Sequence, residues 1–404
     1  MAKRIAVIGA GTAGALAAAF FSRPQRNKQP VEVQWYADPS IPAQAVGEGS
    51  NLTVPRNLLE TINFTHQDLS QIDGAFKTGM AKYNWGKKNS YFFHDFGPPA
   101  VAYHFNAVKL QQYIAKRLDQ EKRVTLINQN VTHDIVDADY IIDCSGRPKE
   151  LNEDFHEFKA IPVNSVFVTQ CFWDYPRFQY TLMVARKYGW VFGIPLGNRC
   201  SIGYLYNNKI NNLDDIKEDV KAVFGQFNLT PSDTTNSFSF YSYCRKQNFT
   251  DRVAYNGNAS FFTEPLEATT IGSMVVFNHK ADGVINKTLS LQAANRYYQY
   301  TNQSIVDMIM LHYFAESAFD TPFWRHAKAL ADEQVSKAMN HAPFRIMCQD
   351  AIKNIKTDSK TYRIQPNKTA AVRDYGTWNI VSYTINILGL GIVDQLESLL
   401  NKYK

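Results

Sequence analysis

Cysteine is scarce in this 404-residue chain: Cys144, Cys171, Cys200, Cys244 and Cys348 are odd in number, widely spaced and never in C-x-x-C order. That excludes the disulfide framework of a small secreted domain and the paired thiolates of a zinc site, so no metal is expected. An excess of one charge is missing as well, with 43 Lys and Arg against 37 Asp and Glu mixed along the chain. Without a basic stripe there is no footprint for a nucleic acid, and pairs such as Lys87 and Lys88 read as solvated surface. No stretch reaches the ~20 unbroken apolar residues of a membrane span. Residues 1–4 and the apolar run over 5–21 superficially match the basic and hydrophobic regions of a signal peptide, but three glycines interrupt that run and have a mechanical use given below. A reducing cytoplasm is the simplest home, with neither nucleic acid nor membrane as partner. Repeats, low-complexity linkers and long Pro/Gly/Ser tracts are also lacking, so the length indicates one large body or two intertwined ones.

What is present begins with a strand-loop-helix-strand series. Residues 5–8 read as a short buried strand, 9–14 as a tight loop, 15–21 as a helix and 31–36 as a second strand. With so few residues to spare, this order is a right-handed βαβ unit and hence a parallel sheet. A later apolar run over 140–142, ending in Asp143-Cys144-Ser145-Gly146, reads as another strand of that sheet, its small residues letting backbone approach a ligand. From residue 160 to 260 aromatic and polar residues alternate, as in Ser237-Phe238-Ser239-Phe240-Tyr241, which suits a half-exposed antiparallel sheet. After Leu289 the period becomes helical, with Ile305, Met308, Ile309 and His312-Tyr313-Phe314 on one face.

Gly9-Ala10-Gly11-Thr12-Ala13-Gly14 has G-x-G-x-x-G spacing. One glycine permits the turn, the next lets backbone reach a pyrophosphate, and the last packs helix on strand. Between a strand and a helix, the loop would set phosphates on the unpaired N–H groups at the positive helix end. An acidic residue for ribose hydroxyls is expected about 20 residues further on. Asp38 falls slightly late, and before Pro39 it serves either the ribose or a turn.

Four further stretches follow in order: Val46-Gly47-Glu48; Gly74-Ala75-Phe76-Lys77 running to Asn84-Trp85; Gly189-Trp190-Val191-Phe192-Gly193-Ile194-Pro195; and Glu264-Pro265-Leu266-Glu267. Weaker echoes are Ile142-Asp143-Cys144-Ser145-Gly146, His312-Tyr313-Phe314 and Asp320-Thr321-Pro322-Phe323-Trp324. Together they resemble the flavin-dependent halogenases of the tryptophan-halogenase type, in the family's order and over most of the chain. The resemblance implies FAD, used as FADH2, with dioxygen and a halide as co-substrates and a small aromatic molecule as organic substrate. It implies that hypohalous acid travels through the protein to a lysine, matched here by Lys77, and leaves Lys82 as an ordinary solvated lysine. An amine fits that use because it hydrogen-bonds hypohalous acid or forms a haloamine that holds the oxidant beside one carbon. Glu267 matches the second catalytic group, a carboxylate that orients the amine and takes the proton from the halogenated ring. Val46, Gly47, Glu48, Asp143, Gly146, Trp190, Ile194 and Pro195 join Gly9, Gly11, Thr12, Ala13, Gly14 and Asp38 as expected cofactor-side residues. The family's W-x-W-x-I-P signature stands here with Phe192 for its second tryptophan; it keeps flavin and organic substrate apart, while Trp190 fits a core position equally well.

Two departures bear on specificity. Where the family has Ser-Thr-Gly after the glutamate, with amides that hold the halide, this chain has Ala268-Thr269-Thr270. Thr269 and Thr270 are therefore the expected halide contacts, in a pocket of altered size and hydration. Bromide and iodide shed water and electrons more easily than chloride and are the expected halides. The chain is also short between Phe96 and His104 and after Trp378, which implies an open pocket that accepts electron-rich phenols, indoles or heteroaromatics. Its compactness resembles a small phage-encoded member of the family, which would place it in a host cytoplasm. No nicotinamide site is evident, so a separate flavin reductase is implied; a homo-oligomer is left open. The expected fold is α/β: a Rossmann-type FAD-binding parallel sheet (1–160 and 255–290), an interleaved antiparallel-sheet substrate region (161–254) and a helical C-terminal part (291–404) packing on the substrate side. The competing readings are an FAD-dependent monooxygenase of the same fold and a non-catalytic flavin-binding regulator.

Overall fold

Strand Lys3–Ile8 lies at the centre of a five-stranded parallel sheet in the computed structural model, which describes residues 2–23, 31–38, 40–41, 48–357 and 374–403. The strand order is Val253–Tyr255, Tyr140–Asp143, Lys3–Ile8, Val31–Ala37, Thr125–Asn128, every pair parallel. The crossover helix Thr12–Phe21 starts three residues earlier than the sequence pattern suggests, because the last three residues of the expected loop already form its first turn. Every residue from Ala13 to Phe21 is buried. Alanines make up much of this segment, so the helix seats closely on the sheet, between it and the helices Ala107–Gln120 and Thr269–Ile285. Trp35, opposite Val7 in the register, donates its indole N–H to the Gly9 carbonyl at 2.9 Å and ties the second strand to the glycine loop.

The second sheet has seven strands in the order Pro231–Ser239, Ser165–Phe172, Arg199–Tyr206, Gly189–Pro195, Thr181–Arg186, Gly79–Tyr83, Tyr91–Asp95. All neighbours are antiparallel except Thr181–Arg186 with Gly79–Tyr83. Strands from residues 79–95 thus join this sheet, while Val253–Tyr255 returns to the first, so the chain passes back and forth between the two. Strand Gly79–Tyr83 is buried on both faces, a fact that decides the chemistry below.

The helices Leu291–Phe314, Pro322–Ala338, Ala342–Thr357, Ile380–Leu390 and Val393–Leu400 form the C-terminal part. Ser290 and Thr321 cap the first two by accepting from Ala293 N and Trp324 N, replacing partners that a helix start lacks. The single apolar face expected of Leu291–Phe314 is not what the helix shows: from Ser304 to Phe314 every residue is buried. Neighbouring helices cover it on several sides, so some of its polar groups find partners inside the protein, while Thr301 Oγ1 and Asn302 Oδ1 have none among the described residues. Asp307, for example, accepts from Gln303, Gln334 and Tyr375 at 2.7–2.9 Å. All five cysteines are buried free thiols, and no described helix is long and apolar enough to cross a membrane.

Candidate active site

The glycine loop divides its tasks as its spacing requires. A Cβ on Gly9 would come within 2.2 Å of the Cys144 carbonyl oxygen, and Gly9 has φ +107°. A Cβ on Gly14 would stand 1.8 Å from the Gly9 carbonyl oxygen. Both positions are closed by backbone. At Gly11 an added Cβ would meet nothing within 4 Å, and the same holds at Gly146, where φ is +103°. Gly11 also caps helix Thr12–Phe21 without any side-chain cap, so no side chain takes up the helix's leading N–H groups, those of Thr12 and Ala13 among them. Open space, free N–H groups and the helix dipole together fit a pyrophosphate, and hence a dinucleotide such as FAD. Gly11→Ala is therefore expected to change stability by no more than about 0.5 kcal/mol while weakening FAD binding by roughly 1.5–3 kcal/mol. Gly14→Ala is expected to lose the fold. Thermal melts beside equilibrium FAD titration check both.

The remaining cofactor-side candidates take varied positions. Thr12 Oγ1 accepts from Gln111 at 3.1 Å. Asp143, at the end of its strand, accepts from Ser145 N and pairs with His133, each at 2.8 Å. Burial opposes its ionisation, but those two partners hold it below the usual carboxylate range. Asp38 Oδ1 accepts from the Ser40 backbone N–H and hydroxyl at 2.8 and 2.6 Å, the bonds of the turn alternative. Val46 and Gly47 lie outside the described residues. Glu48 is buried, and both its oxygens are engaged by Arg199, one of them also by Ser201. Its carboxylate is occupied by the protein itself.

Two lysine amines are buried in this region. Lys77 ends strand Ala75–Lys77, is 1% exposed, and donates to the Ser50 carbonyl at 2.9 Å. Ser50 is pinned in turn, its hydroxyl donating to Tyr103 O at 2.7 Å and accepting from Tyr103 N at 3.0 Å. Burial brings the Lys77 amine from near 10.5 down to about 7; the charge of Glu267 raises it and that of Lys82 lowers it. Lys82, expected on the surface, is instead 0% exposed. Its ammonium donates to Glu267 Oε1, to His312 Nε2 at 2.8 Å and to Asn386 Oδ1 at 2.5 Å. His312 Nδ1 lies 2.9 Å from the Met308 carbonyl; donating its proton there leaves Nε2 as the acceptor.

Glu267 therefore meets Lys82 rather than Lys77, contrary to the expectation that it orients Lys77. It sits at φ +70° and is followed by Ala268 at φ +52°, two successive non-glycine residues in the left-handed region, each costing about 1–3 kcal/mol. This kink points the carboxylate inward and opens the helix Thr269–Ile285 with no side-chain cap. Among the described residues Oε2 of Glu267 has no hydrogen-bond partner; His94 Nδ1 stands 3.5 Å away. Further buried atoms without a partner among the described residues include Thr269 Oγ1 at the helix start, and His104 Nδ1 on strand Ala102–His104, whose Nε2 meets Thr181 at 2.8 Å. Buried unpaired polar atoms are rare in proteins, and those of Glu267 and Thr269 at one helix start fit a place for a ligand. Thr270, half-buried, stands in the first helical turn without a positive φ, so that position does not require the family's glycine.

A family model described as tryptophan halogenase matches residues 4–134 and 116–401. The chain belongs to the tryptophan halogenase family. As a member it is a flavin-dependent halogenase, an enzyme. Among its relatives, tryptophan 7-halogenase RebH of Lentzea aerocolonigenes is 22% identical, over 98% of this chain and 91% of its own. Tryptophan 6-halogenase ThaL of Streptomyces albogriseolus is also 22% identical, over 81% and 79%. The structure of a tryptophan halogenase from Shewanella frigidimarina superposes with a TM-score of 0.76 at 18% identity, covering 99% of this chain and 93% of that one. BrvH, a flavin-dependent halogenase from Brevundimonas, gives 0.75 at 18%, covering 100% and 94%. At these identities the structures speak for the fold.

In this halogenase Trp190 is fully buried and donates its indole N–H to Glu264 Oε2 at 2.7 Å, while Tyr313 donates to the same oxygen at 2.9 Å. Trp190 also packs edge-on to Phe192 and tilted against Trp85, with ring centroids 6.3 and 6.2 Å apart. Burial raises the Glu264 carboxyl to about 8 despite both donors, so it is largely protonated at neutral pH. Ile194 is half-buried and Pro195 buried at the end of the same strand, with Ile194 facing Gly49 and, beyond it, His104. Sequence reasoning placed Lys82 at the surface and gave no role to His94, His104, Arg199 or Asn386; Glu264 and His312 were quoted in motifs but given no role.

Proposed function

We propose that this halogenase carries out FADH2- and O2-dependent halogenation of electron-rich aromatic or heteroaromatic molecules, with Lys77 guiding enzyme-made hypohalous acid. Bound FAD, reduced and exposed to dioxygen, would supply the oxidation that converts halide to hypohalous acid. Gly9, Gly11, Thr12, Ala13 and Gly14 would hold its pyrophosphate, with Asp38, Asp143 and Gly146 bordering the same crevice. A separate reductase would deliver the reduced flavin.

The observation that carries this reading is the contrast between the two buried amines. The Lys82 ammonium has three protons and three acceptors, so it has nothing left to offer an oxidant. Lys77 has a single acceptor among the described residues and a pKa of about 7, so much of it is neutral at physiological pH. A lysine at 10.5 would be neutral in less than about one molecule in a thousand. The neutral amine attacks the halogen of hypohalous acid; an N–X bond forms, the O–X bond breaks and water leaves with the amine proton. The ring carbon next takes the halogen, the N–X pair returns to nitrogen, and the ring proton passes to Glu267 Oε2 before returning to Lys77. Trp190 and Phe192 exclude water from the space between the two chemistries. Thr269 and Thr270 supply helix N–H groups, and Thr269 a free hydroxyl, for the halide.

Bromide and iodide are the favoured halides and the aromatic range is broad. The assay supplies reduced FAD, oxygen, an indole or phenol panel and equimolar bromide and chloride, with products followed by mass spectrometry. Bromide-dependent mass increases that exceed chloride products are expected. Equal or faster chloride turnover removes the halide preference; oxygen insertion without halogen indicates a monooxygenase.

A further inference from the structure

We infer that Lys82 is a positioning residue: by closing Glu267 into a buried cluster with His312 and Asn386, it keeps that carboxylate from pairing with Lys77 and leaves the Lys77 amine free to react. This deepens the reading of Lys77 as the oxidant-carrying amine and rests on it. Two lysines and one carboxylate share a single buried region, and the carboxylate can neutralise only one of them at contact. The strand geometry makes the choice. Lys82 lies in strand Gly79–Tyr83, whose neighbours Thr181–Arg186 and Tyr91–Asp95 fix it on both edges, and the helices Leu291–Phe314 and Ile380–Leu390 bring His312 and Asn386 to its other two protons. Lys77 lies in a separate two-stranded sheet with Ala102–His104, and its amine is turned to the Ser50 carbonyl.

The arrangement has an electrostatic consequence at Lys77. The charged and titratable groups around the two amines are Lys82, Glu267, His94 from strand Tyr91–Asp95, His104 from strand Ala102–His104 and His312 from helix Leu291–Phe314. Burial and then Lys77 keep His104 well below its ordinary value, and burial and then Lys82 lower His312, so neither adds a like charge beside Lys77 near neutral pH. Burial opposes the ionisation of Glu267, but contact with Lys82 and the nearness of His312 and His94 hold it well below the carboxylate range. Its charge is thus fixed, and Lys82 cancels much of it before it reaches Lys77. Removing the Lys82 charge frees Glu267 to stabilise a protonated Lys77.

The test is lysine NMR on the full chain labelled at the side-chain ε-carbon, with the Lys77 and Lys82 signals assigned by their loss in Lys77→Arg and Lys82→Arg. In the unaltered protein the Lys77 signal is expected to titrate near pH 7 and the Lys82 signal distinctly higher. If the two titrate together, or Lys82 first, the inference is overturned without any variant. In Lys82→Gln, which keeps a donor to Glu267 but no charge, the Lys77 midpoint is expected to rise by about one pH unit, a tenfold change in its neutral fraction. Lys82→Arg is expected to hold it within a few tenths of the unaltered value. An unmoved midpoint in a folded, FAD-binding Lys82→Gln protein overturns the inference, as does an equal shift in both variants. Failure of Lys77 as oxidant carrier would show separately, as halogenation surviving in Lys77→Ala while these midpoints still move as stated.

Discussion

Replacing Lys77 by alanine is expected to lower organic halogenation by about 10²–10⁴-fold, the usual contribution of a positioned acid–base or nucleophilic group, while reduced flavin is still consumed by oxygen. The amine donates to Ser50 and not to the glycine loop, so FAD affinity should stay within twofold of the unaltered protein, an expectation on the order of 0.4 kcal/mol. Among the described residues one hydrogen bond is lost, that to Ser50, and its orphaned carbonyl costs about 1–3 kcal/mol. Lys77 differs here from Lys82, because a group already neutral for much of the time at pH 7 leaves no unpaired charge behind. Lys77→Arg is the informative companion: it preserves a donor for Ser50 but stays protonated, so it should be as inactive as alanine, and its permanent charge in a site that brings a lysine to about 7 should destabilise the fold. Steady-state product formation, flavin oxidation and thermal melts separate these effects.

Glu267→Ala should damage the protein in a different way, through stability. Lys82 and Glu267 are both wholly buried in side chain, and removing one member of such a pair strands the other, at a cost of about 3–5 kcal/mol. The alanine would also inherit a left-handed backbone that already costs the native chain energy, so relaxation of that kink offsets little of the loss. The pH dependence has a definite sign. Burial lowers the Lys82 ammonium and contact with Glu267 raises it, so the variant folds with Lys82 lowered further. Between that depressed value and the ordinary 10.5, the unfolded chain binds more protons than the folded one, and stability rises with pH. Denaturant unfolding of Glu267→Ala at pH 7 and pH 9.5 should therefore show the deficit shrinking at the higher pH. Glu267→Gln, which keeps a carbonyl acceptor for Lys82, should fall between the alanine variant and the unaltered protein.

How much of this could be read along the chain follows from where the information resides. The glycine loop and its βαβ unit are largely local: Gly14 packs on Gly9, Trp35 reaches Gly9 from the second strand, and the contact of Gly9 with Cys144 comes from afar, so spacing conveys most of their use. Lys77 and Glu267 were legible only through family motifs, since neither has a distinctive neighbour in sequence. Lys82 was misread as solvated because an isolated lysine in a five-residue strand normally marks the solvent face. That rule fails when both faces of the strand are covered, and the covering groups come from far away. Glu267, His312 and Asn386 are separated from Lys82 by 185, 230 and 304 residues. No local period encodes such a meeting. The pairing of Glu48 with Arg199 is of the same kind, 151 residues apart, and it removed from the cofactor a carboxylate that its motif had suggested. The helix Leu291–Phe314 shows the converse failure: its apolar pattern indicated one buried face, whereas the packing of neighbouring helices buried its polar residues as well.

The central claim is that oxidised halogen is aimed by Lys77 rather than released at random, and the direct measurement is its partition between two acceptors. Enzyme, reduced FAD, oxygen and labelled bromide are mixed with an indole and a soluble scavenger of hypobromous acid that is too large to enter the protein, and bromine is counted in each product. With the unaltered enzyme most of the label should enter the indole whatever the scavenger concentration, and with Lys77→Ala it should move to the scavenger. If both proteins divide the label alike, halogenation occurs in solution and no amine directs it.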